Sequence, residues 1–140
     1  MNKSVPFLFI FLWFSSCESD DQKNLLPYII VNETINLTNP EFINLQVPGG
    51  WAYANGGIKG IIIYNLNGSL YKAYERSCPQ ILPSPCSQMT VEQSFKLKCP
   101  CDQSEFNILN GTPLTPNINY IVREYKVTVI NSNTLKITNF

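Results

Sequence analysis

The stretch KCPCDQSEF, at positions 98–106, places Cys99 and Cys101 one residue apart, directly after a segment whose side chains alternate between apolar and polar. Such alternation predicts a half-buried β-strand. Two further cysteines, Cys78 and Cys86, follow another strand-like segment. Both pairs are therefore expected on loops at the ends of strands, where binding sites on a rigid sheet are usually built.

The rest of the chain predicts a β-rich domain, because β-branched and aromatic residues are frequent and Asn, Gly and Pro interrupt them at short intervals. The strongest predicted strand, 60–64, meets the segment 69–74 across Asn67 and Gly68, a typical hairpin turn. Further strands are predicted at 28–31, 34–37, 41–45, 95–98, 104–108, 123–130 and 134–138. We expect an all-β fold, a small antiparallel sandwich or barrel.

The composition excludes several classes of function. The chain has no histidine, which rules out Ser/His/Asp and Cys/His catalysis, the common zinc sites and any histidine-ligated cluster. Its 10 basic and 10 acidic residues balance, so the charge indicates neither a nucleic-acid partner nor a polybasic membrane-binding patch. We therefore expect no enzymatic activity and no nucleic-acid partner.

The two cysteine-containing stretches resemble the cluster-binding boxes of the Rieske iron–sulfur family. The residues SCPQ at 77–80 lie where the family has a Cys-x-His box, and residues 98–106 lie where it has Cys-Pro-Cys-His-Gly-Ser-x-Phe. The resemblance covers roughly residues 40–138, and its second box is the more specific. It implies a Rieske-like β-fold with the two loops side by side, and at most an electron carrier.

The departures from the family concern the ligands. In the family, two cysteines hold one iron of a 2Fe-2S cluster and two histidines hold the other. The corresponding cysteines are Cys78 and Cys99, but Gln80 and Asp102 stand at the histidine positions. An amide is a poor iron ligand, and a carboxylate is a harder ligand that adds negative charge. Gln103 replaces a small glycine, and we expect it to crowd the loop.

Three interpretations of Cys78 and Cys99 remain open at this point. They hold a 2Fe-2S cluster with Asp102 and an unusual fourth ligand, they form a disulfide that joins the loops, or the four cysteines bind zinc. The spacing of Cys99 and Cys101 is unlike that of a zinc knuckle, and the missing histidines argue against the cluster. We therefore favour a cluster-free, disulfide-linked fold with no cofactor or metal, with electron transfer through a remodelled 2Fe-2S site as the alternative.

The resemblance implies a second link between the loops, because many Rieske domains join them by a disulfide. One member of that disulfide is the cysteine between the ligands of the second box, which is Cys101 here. Cys86 is its natural partner in the first loop.

The N-terminus has the marks of a secretory signal peptide: Lys3, an apolar run over 5–14, then two serines. The run is too short to span a bilayer. Cys17 directly follows and resembles the acylated cysteine of a bacterial lipobox, which implies a lipid anchor. The alternative is an ordinary cleaved signal with Cys17 as a spare thiol.

The chain is thus predicted to comprise a signal peptide at 1–16, an acidic tether at 17–27 and a Rieske-like β domain at 28–140. The acidic residues after Cys17 resemble export signals of some surface lipoproteins, with a plain solvated linker as the alternative. We expect an exported protein, held by lipid at the outer membrane or cell surface, with a structural or interaction role. The sequence names no protein partner.

Overall fold

The computed structural model describes residues 25–139, and within them it contains two antiparallel β-sheets and one short 3-10 helix. The predicted all-β fold class is confirmed. The strands are β1 (Asn32–Asn36), β2 (Trp51–Ala54), β3 (Ile61–Asn65), β4 (Tyr71–Glu75), β5 (Thr90–Glu92), β6 (Lys96–Lys98), β7 (Glu105–Asn107), β8 (Glu124–Asn131) and β9 (Thr134–Thr138), and the 3-10 helix is Pro40–Gln46.

The predicted signal peptide, Cys17 and most of the predicted tether lie outside the described residues. Among residues 25–139, no helix is long and apolar enough to cross a membrane.

The larger sheet has six strands in the order β1-β9-β8-β4-β3-β2. Its β3–β4 hairpin forms at the predicted turn, where Gly68 adopts a φ of 93° and the Asn67 side chain accepts hydrogen bonds from the following backbone. A left-handed φ of this kind favours glycine. Strands β1 and β9 pair although Asn36 and its partner Thr134 are 98 positions apart in sequence, and this pairing brings both ends of the described chain into one sheet.

Strand β3 is buried on both faces, as its unbroken apolar run allows. Ile61 and Ile63 face one core, which we call the half-barrel core, whereas Ile62 and Tyr64 face a second, the cysteine core. The half-barrel core consists of Val31, Ile35, Leu37, Phe42, Leu45, Ala52, Ile61, Ile63, Tyr71, Ala73, Tyr125, Leu135 and Ile137. The cysteine core consists of Ile62, Tyr64, Tyr74, Cys78, Met89, Leu97, Cys99, Phe106, Ile108 and Val122.

The half-barrel core shows that the six-stranded sheet is curled. Ile35 and Leu135 lie at one side of the sheet and Ile63 lies near the other, yet their side chains belong to one buried cluster. A flat sheet would keep them several strand spacings apart. The 3-10 helix closes the cluster with Phe42 and Leu45, both buried.

The smaller sheet carries the cysteine loops on short strands. Strands β5, β6 and β7 have three residues each and pair in that order. Leu97 and Phe106 lie opposite each other in the register and both are fully buried. This sheet packs its apolar side chains into the cysteine core, against the outer face of β3 and β4.

Two predicted strands are wrong. Residues 41–45 belong to the 3-10 helix, because Pro40 is suited to a first helical turn and the buried Phe42 and Leu45 recur at the three-residue period of that helix. Residues 28–31 precede β1, and the Asn139 side chain meets this segment by accepting from the Val31 N–H and donating to the Ile29 carbonyl. Hydrogen bonds to the Asn139 side chain thus take the place of backbone pairing with a neighbouring strand in this segment.

Candidate functional site

The two cysteine loops lie side by side, as the sequence resemblance implied. The first loop begins after β4 and returns through an isolated bridge between Ser77 and Gln88, with the Cys78 N–H donating to the Ser87 carbonyl at 2.8 Å. The second loop links β6 to β7 and is closed by the Cys99 N–H donating to the Ser104 carbonyl at 2.9 Å. Both loops are therefore fixed at their bases by backbone hydrogen bonds.

An inner disulfide joins the loops at Cys78 and Cys99. The two sulfurs are 2.09 Å apart, and the Cα atoms are 5.7 Å apart. Both cysteines are fully buried in the cysteine core. Among the three interpretations left open by the sequence, the structure has the disulfide.

An outer disulfide joins Cys86 to Cys101, the pairing that the resemblance implied. Their Cα atoms are 5.0 Å apart, inside the usual range for a disulfide. Cys86 is exposed and Cys101 is half-buried, so this bond faces solvent more than the inner one does. The Ser84 hydroxyl lies 3.5 Å from the Cys86 sulfur and 3.6 Å from the Cys101 sulfur.

Gln80 and Asp102 contact each other directly. The Gln80 Nε2 donates to Asp102 Oδ2 at 2.9 Å and also to the Ser104 hydroxyl. That hydroxyl in turn donates to Asp102 Oδ1 at 2.7 Å, and the Ser104 N–H donates to the same oxygen at 3.0 Å. The three side chains form a closed polar contact between the loops, beside the inner disulfide.

The Asp102 carboxylate is stabilised in its charged form. Partial burial raises its pKa, but the hydrogen bonds from Gln80 and Ser104 outweigh burial and hold the pKa of Asp102 below its ordinary value of 3.8. The carboxylate is therefore an acceptor at neutral pH, and its acceptor sites already receive protein donors. Gln80 Oε1 is buried and has no protein partner among the described residues.

Gln103 does not crowd the loop, contrary to expectation. Its φ of 64° is left-handed, which explains why glycine suits the position, but its side chain is exposed and donates to the Pro100 carbonyl at 2.9 Å. That hydrogen bond holds the Gln103 side chain over its own loop. The loop still places Asp102 within hydrogen-bond distance of Gln80.

The residues present do not fit a 2Fe-2S cluster in this conformation. A cysteine binds metal as a thiolate, and the sulfurs of Cys78 and Cys99 are bonded to each other. The Gln80 amide and the Asp102 carboxylate are joined to each other by a hydrogen bond. Among residues 25–139, no group of three or more His, Cys, Asp or Glu side chains is placed to hold a metal ion.

Sequence reasoning missed Ser104, which is buried and bridges Gln80 to Asp102. A signal for it exists in the spacing, because an aspartate two residues before a serine often accepts from the serine backbone and hydroxyl. The contact with Gln80, 24 residues away in sequence, could be seen only in the fold.

No protein-family model and no curated protein matches the chain. Solved structures do match. A chain in a complex of reduced oxygenase and oxidised ferredoxin of carbazole 1,9a-dioxygenase is 22% identical, covering 66% of this chain and 82% of its own, with a TM-score of 0.47. The ferredoxin of carbazole 1,9a-dioxygenase from Nocardioides aromaticivorans is 15% identical, covering 79% and 97%, with a TM-score of 0.49. The E. coli protein NirD is 13% identical, covering 79% and 97%, with a TM-score of 0.47.

This similarity is too distant to transfer a ligand or an activity to the chain. The function proposed below therefore depends on the geometry of the two loops.

Proposed function

We propose that this chain is a lipid-anchored protein of the cell envelope whose Rieske-like domain carries no iron–sulfur cluster and serves as a structural or interaction module. One observation supports the cluster-free part of this proposal. The four positions that would hold a cluster are joined pairwise across the loops, Cys78 to Cys99 by a disulfide and Gln80 to Asp102 by a hydrogen bond.

The chemistry of these four groups favours direct linkage over metal binding. Cluster assembly would require reduction of a disulfide that is fully buried, and then a rearrangement of the Gln80 and Asp102 side chains. An amide and a carboxylate would next have to replace two imidazoles as iron ligands. The hydrogen bonds that lower the pKa of Asp102 would also be lost in that exchange.

The disulfides also favour export. Disulfides persist in oxidising compartments and are rare in the cytosol, and the domain has two of them on adjacent loops. The proposed signal peptide and the acylated Cys17 would deliver the chain to such a compartment. A folded, cross-linked domain on a lipid tether suits a role in contacts with other envelope components.

Iron content and thiol counting test the cluster-free state. The chain is produced in cells that assemble clusters and purified without air and without reductant. We expect no stoichiometric iron, no visible absorption band, and no reactive thiol from Cys78 or Cys99 in denaturant. The matched control is the double variant Gln80→His with Asp102→His, which restores the ligand types of the family. Stoichiometric iron in the unmodified chain would replace this proposal with electron transfer.

Membrane fractionation tests the anchor. Changing Cys17 to Ala removes the proposed acylation site, so the variant should leave the membrane fraction, since the acyl chains supply the binding. The variant Cys86→Ala with Cys101→Ala is the control, because it also removes cysteines but keeps the anchor. Retention of the Cys17→Ala variant on membranes would refute the lipid anchor without bearing on the cluster-free state.

A further inference from the structure

A polar groove lies at the end of the β2–β3 hairpin, beside the base of the first cysteine loop. Its volume is about 580 Å³, within the range of pockets that hold small organic ligands. One wall is the loop between β2 and β3, and the other carries Arg76 and Gln88. Glu41 lies at the edge formed by the 3-10 helix.

The loop wall is held rigidly by one buried carboxylate. Glu75 is 0% exposed, and its oxygens accept from the backbone N–H groups of Ile58 at 2.7 Å and Lys59 at 2.9 Å. They also accept from the Ser77 N–H at 2.9 Å and the Tyr125 hydroxyl at 2.7 Å. Four donors therefore satisfy this carboxylate and fix the loop before any ligand arrives.

Glycine makes this close approach possible. Gly57 has a φ of 64°, and a Cβ atom there would lie 2.3 Å from Glu75 Oε2. A side chain at this position would push the loop off the carboxylate.

Arg76 is the second fixed element of the groove. Its guanidinium carbon lies 3.6 Å above the centroid of the Tyr53 ring, and its Nε donates to the Met89 carbonyl at 3.2 Å. The Tyr53 hydroxyl accepts from the Val91 N–H at 2.9 Å, which holds the ring in place. Stacking and one hydrogen bond thus orient the guanidinium without using its terminal nitrogens.

The guanidinium has no counter-ion within the described part of the chain. Residues 25–139 contain no carboxylate within ion-pair distance of Arg76, although the side chain is half-buried. Burial lowers the pKa of Arg76 below its ordinary value, against the opposite effects of Tyr53 and Glu75, and the group stays charged at neutral pH. The terminal nitrogens form a half-buried, pre-oriented fork of donors with no carboxylate of residues 25–139 within ion-pair distance. This fork matches the geometry of an incoming carboxylate.

We propose that this groove binds a small organic carboxylate, which the Arg76 guanidinium receives through its terminal nitrogens and Lys59 attracts as a second cation. The Glu41 carboxylate at the edge disfavours a doubly charged phosphate. The Gln88 Nε2 donates to the Lys59 carbonyl at 2.6 Å, so the Asn55 amide and the Gln88 Oε1 are the groups that suit hydroxyl groups on the remainder of the ligand. The proposal is independent of the anchor and of the cluster-free state.

Calorimetric titration of the intact chain at low salt tests the proposal, with D-glucuronate and acetate, both singly charged, as carboxylate probes. Glucose and inorganic phosphate are the comparison ligands. We expect saturable binding of both carboxylates with dissociation constants of about 1–10 mM. Tighter binding of glucuronate would mean that its hydroxyl groups also contact the groove. Equal binding would mean that the groove recognises the carboxylate alone. Both results agree with the proposal.

Substitutions at Arg76 test whether the carboxylate binds in this groove. Arg76→Gln should weaken carboxylate binding about tenfold or more, because it removes charge-assisted hydrogen bonds. Arg76→Lys keeps the charge and the aliphatic stem but loses the fork, and should bind with intermediate affinity. Lys126→Gln changes the same charge on an exposed strand position outside the groove and should bind like the unmodified chain. Thermal unfolding of each variant shows that it is folded.

Three results would overturn the proposal: no saturable binding of either carboxylate, phosphate or glucose bound at least as tightly as the carboxylates, or affinity unchanged in both Arg76 variants. None of these would affect the iron and membrane-fractionation experiments.

Discussion

The half-barrel core and the cysteine core lie on opposite faces of β3, and different interactions stabilise them. The half-barrel core is closed by strands of up to eight residues and by paired ends of the described chain. The cysteine core rests on three strands of three residues each and contains or borders both disulfides. The three-stranded sheet has few backbone hydrogen bonds between its strands, and the disulfides add covalent cross-links on that side of the molecule.

The two cores also differ in how their buried polar groups are satisfied. Four donors surround Glu75 beside the half-barrel core. Next to the cysteine core, the buried Tyr74 hydroxyl and Ser77 Oγ have no protein partner among the described residues. Burial, with a smaller effect of Glu124, raises the pKa of Tyr74, so the hydroxyl stays neutral. Unpaired buried groups cost free energy, and the disulfides offset that cost on this side.

The largest expected effect comes from replacing the buried Glu75 carboxylate beside the half-barrel core. Glu75→Gln should lower the free energy of unfolding by about 2–5 kcal/mol, because the amide nitrogen cannot accept and leaves two buried donors unpaired, each at a cost of about 1–3 kcal/mol. Urea unfolding measures the loss. Glu41→Gln is the control, since Glu41 is exposed and should change stability little. A loss below about 1 kcal/mol for Glu75→Gln would mean that the four hydrogen bonds contribute little net stability.

The next effect concerns the cross-linked side. Cys78→Ala with Cys99→Ala should cost about 3 kcal/mol, and Cys86→Ala with Cys101→Ala should cost less. The inner disulfide spans 21 residues against 15 for the outer one, and its sulfurs also pack in the cysteine core. Urea unfolding of the two double variants measures both losses. A larger loss from the outer pair would contradict the assignment of the inner disulfide to the core.

A smaller effect measures how much one of the four donors to Glu75 contributes to the stability of the fold. Tyr125→Phe removes the one side-chain donor and should cost about 2 kcal/mol, as expected for a hydrogen bond to a charged group. Tyr28→Phe makes the same change at a side chain that is 71% exposed, and should be neutral. If Tyr125→Phe is also neutral in urea unfolding, the three backbone donors suffice for the carboxylate.

Much of the sheet could be predicted from local sequence. The β3–β4 hairpin follows from an apolar run beside Asn67 and Gly68, and β9 was predicted with its observed bounds of 134–138. These elements depend on neighbours in sequence. The 3-10 helix was predicted as a strand, because Ile43 and Leu45 have the two-residue spacing of a strand, whereas the pair that is buried, Phe42 and Leu45, has the three-residue spacing of the helix.

The site was predictable only as far as its residues resemble a known pattern. The resemblance indicated that Cys78, Gln80, Cys99 and Asp102 share one place, but it left the inner disulfide as one of three interpretations. Glu75 gave no signal, because its donors come from positions 2 to 50 residues away. Arg76 was missed for the same reason, since its contacts with Tyr53 and Met89 are made across the fold.

The smallest expected effect tests the polar contact between the loops through its pH dependence. Hydrogen bonds hold the pKa of Asp102 below 3.8 in the folded state, so the charged carboxylate stabilises the fold above that pH. This contribution is lost as the pH falls through the lower pKa of the folded state. Asp102→Asn cannot titrate, so the difference in unfolding free energy between the two proteins should be present at pH 6 and should vanish at strongly acidic pH. Because Asp102 is exposed, solvent screening should limit the difference to less than about 1 kcal/mol. Urea unfolding of both proteins across this pH range measures it, and the other carboxylates cancel in the comparison. A difference that grows as the pH falls would mean that Gln80 and Ser104 bind the neutral acid better than the carboxylate, and the contact between the loops would then be strongest in acid.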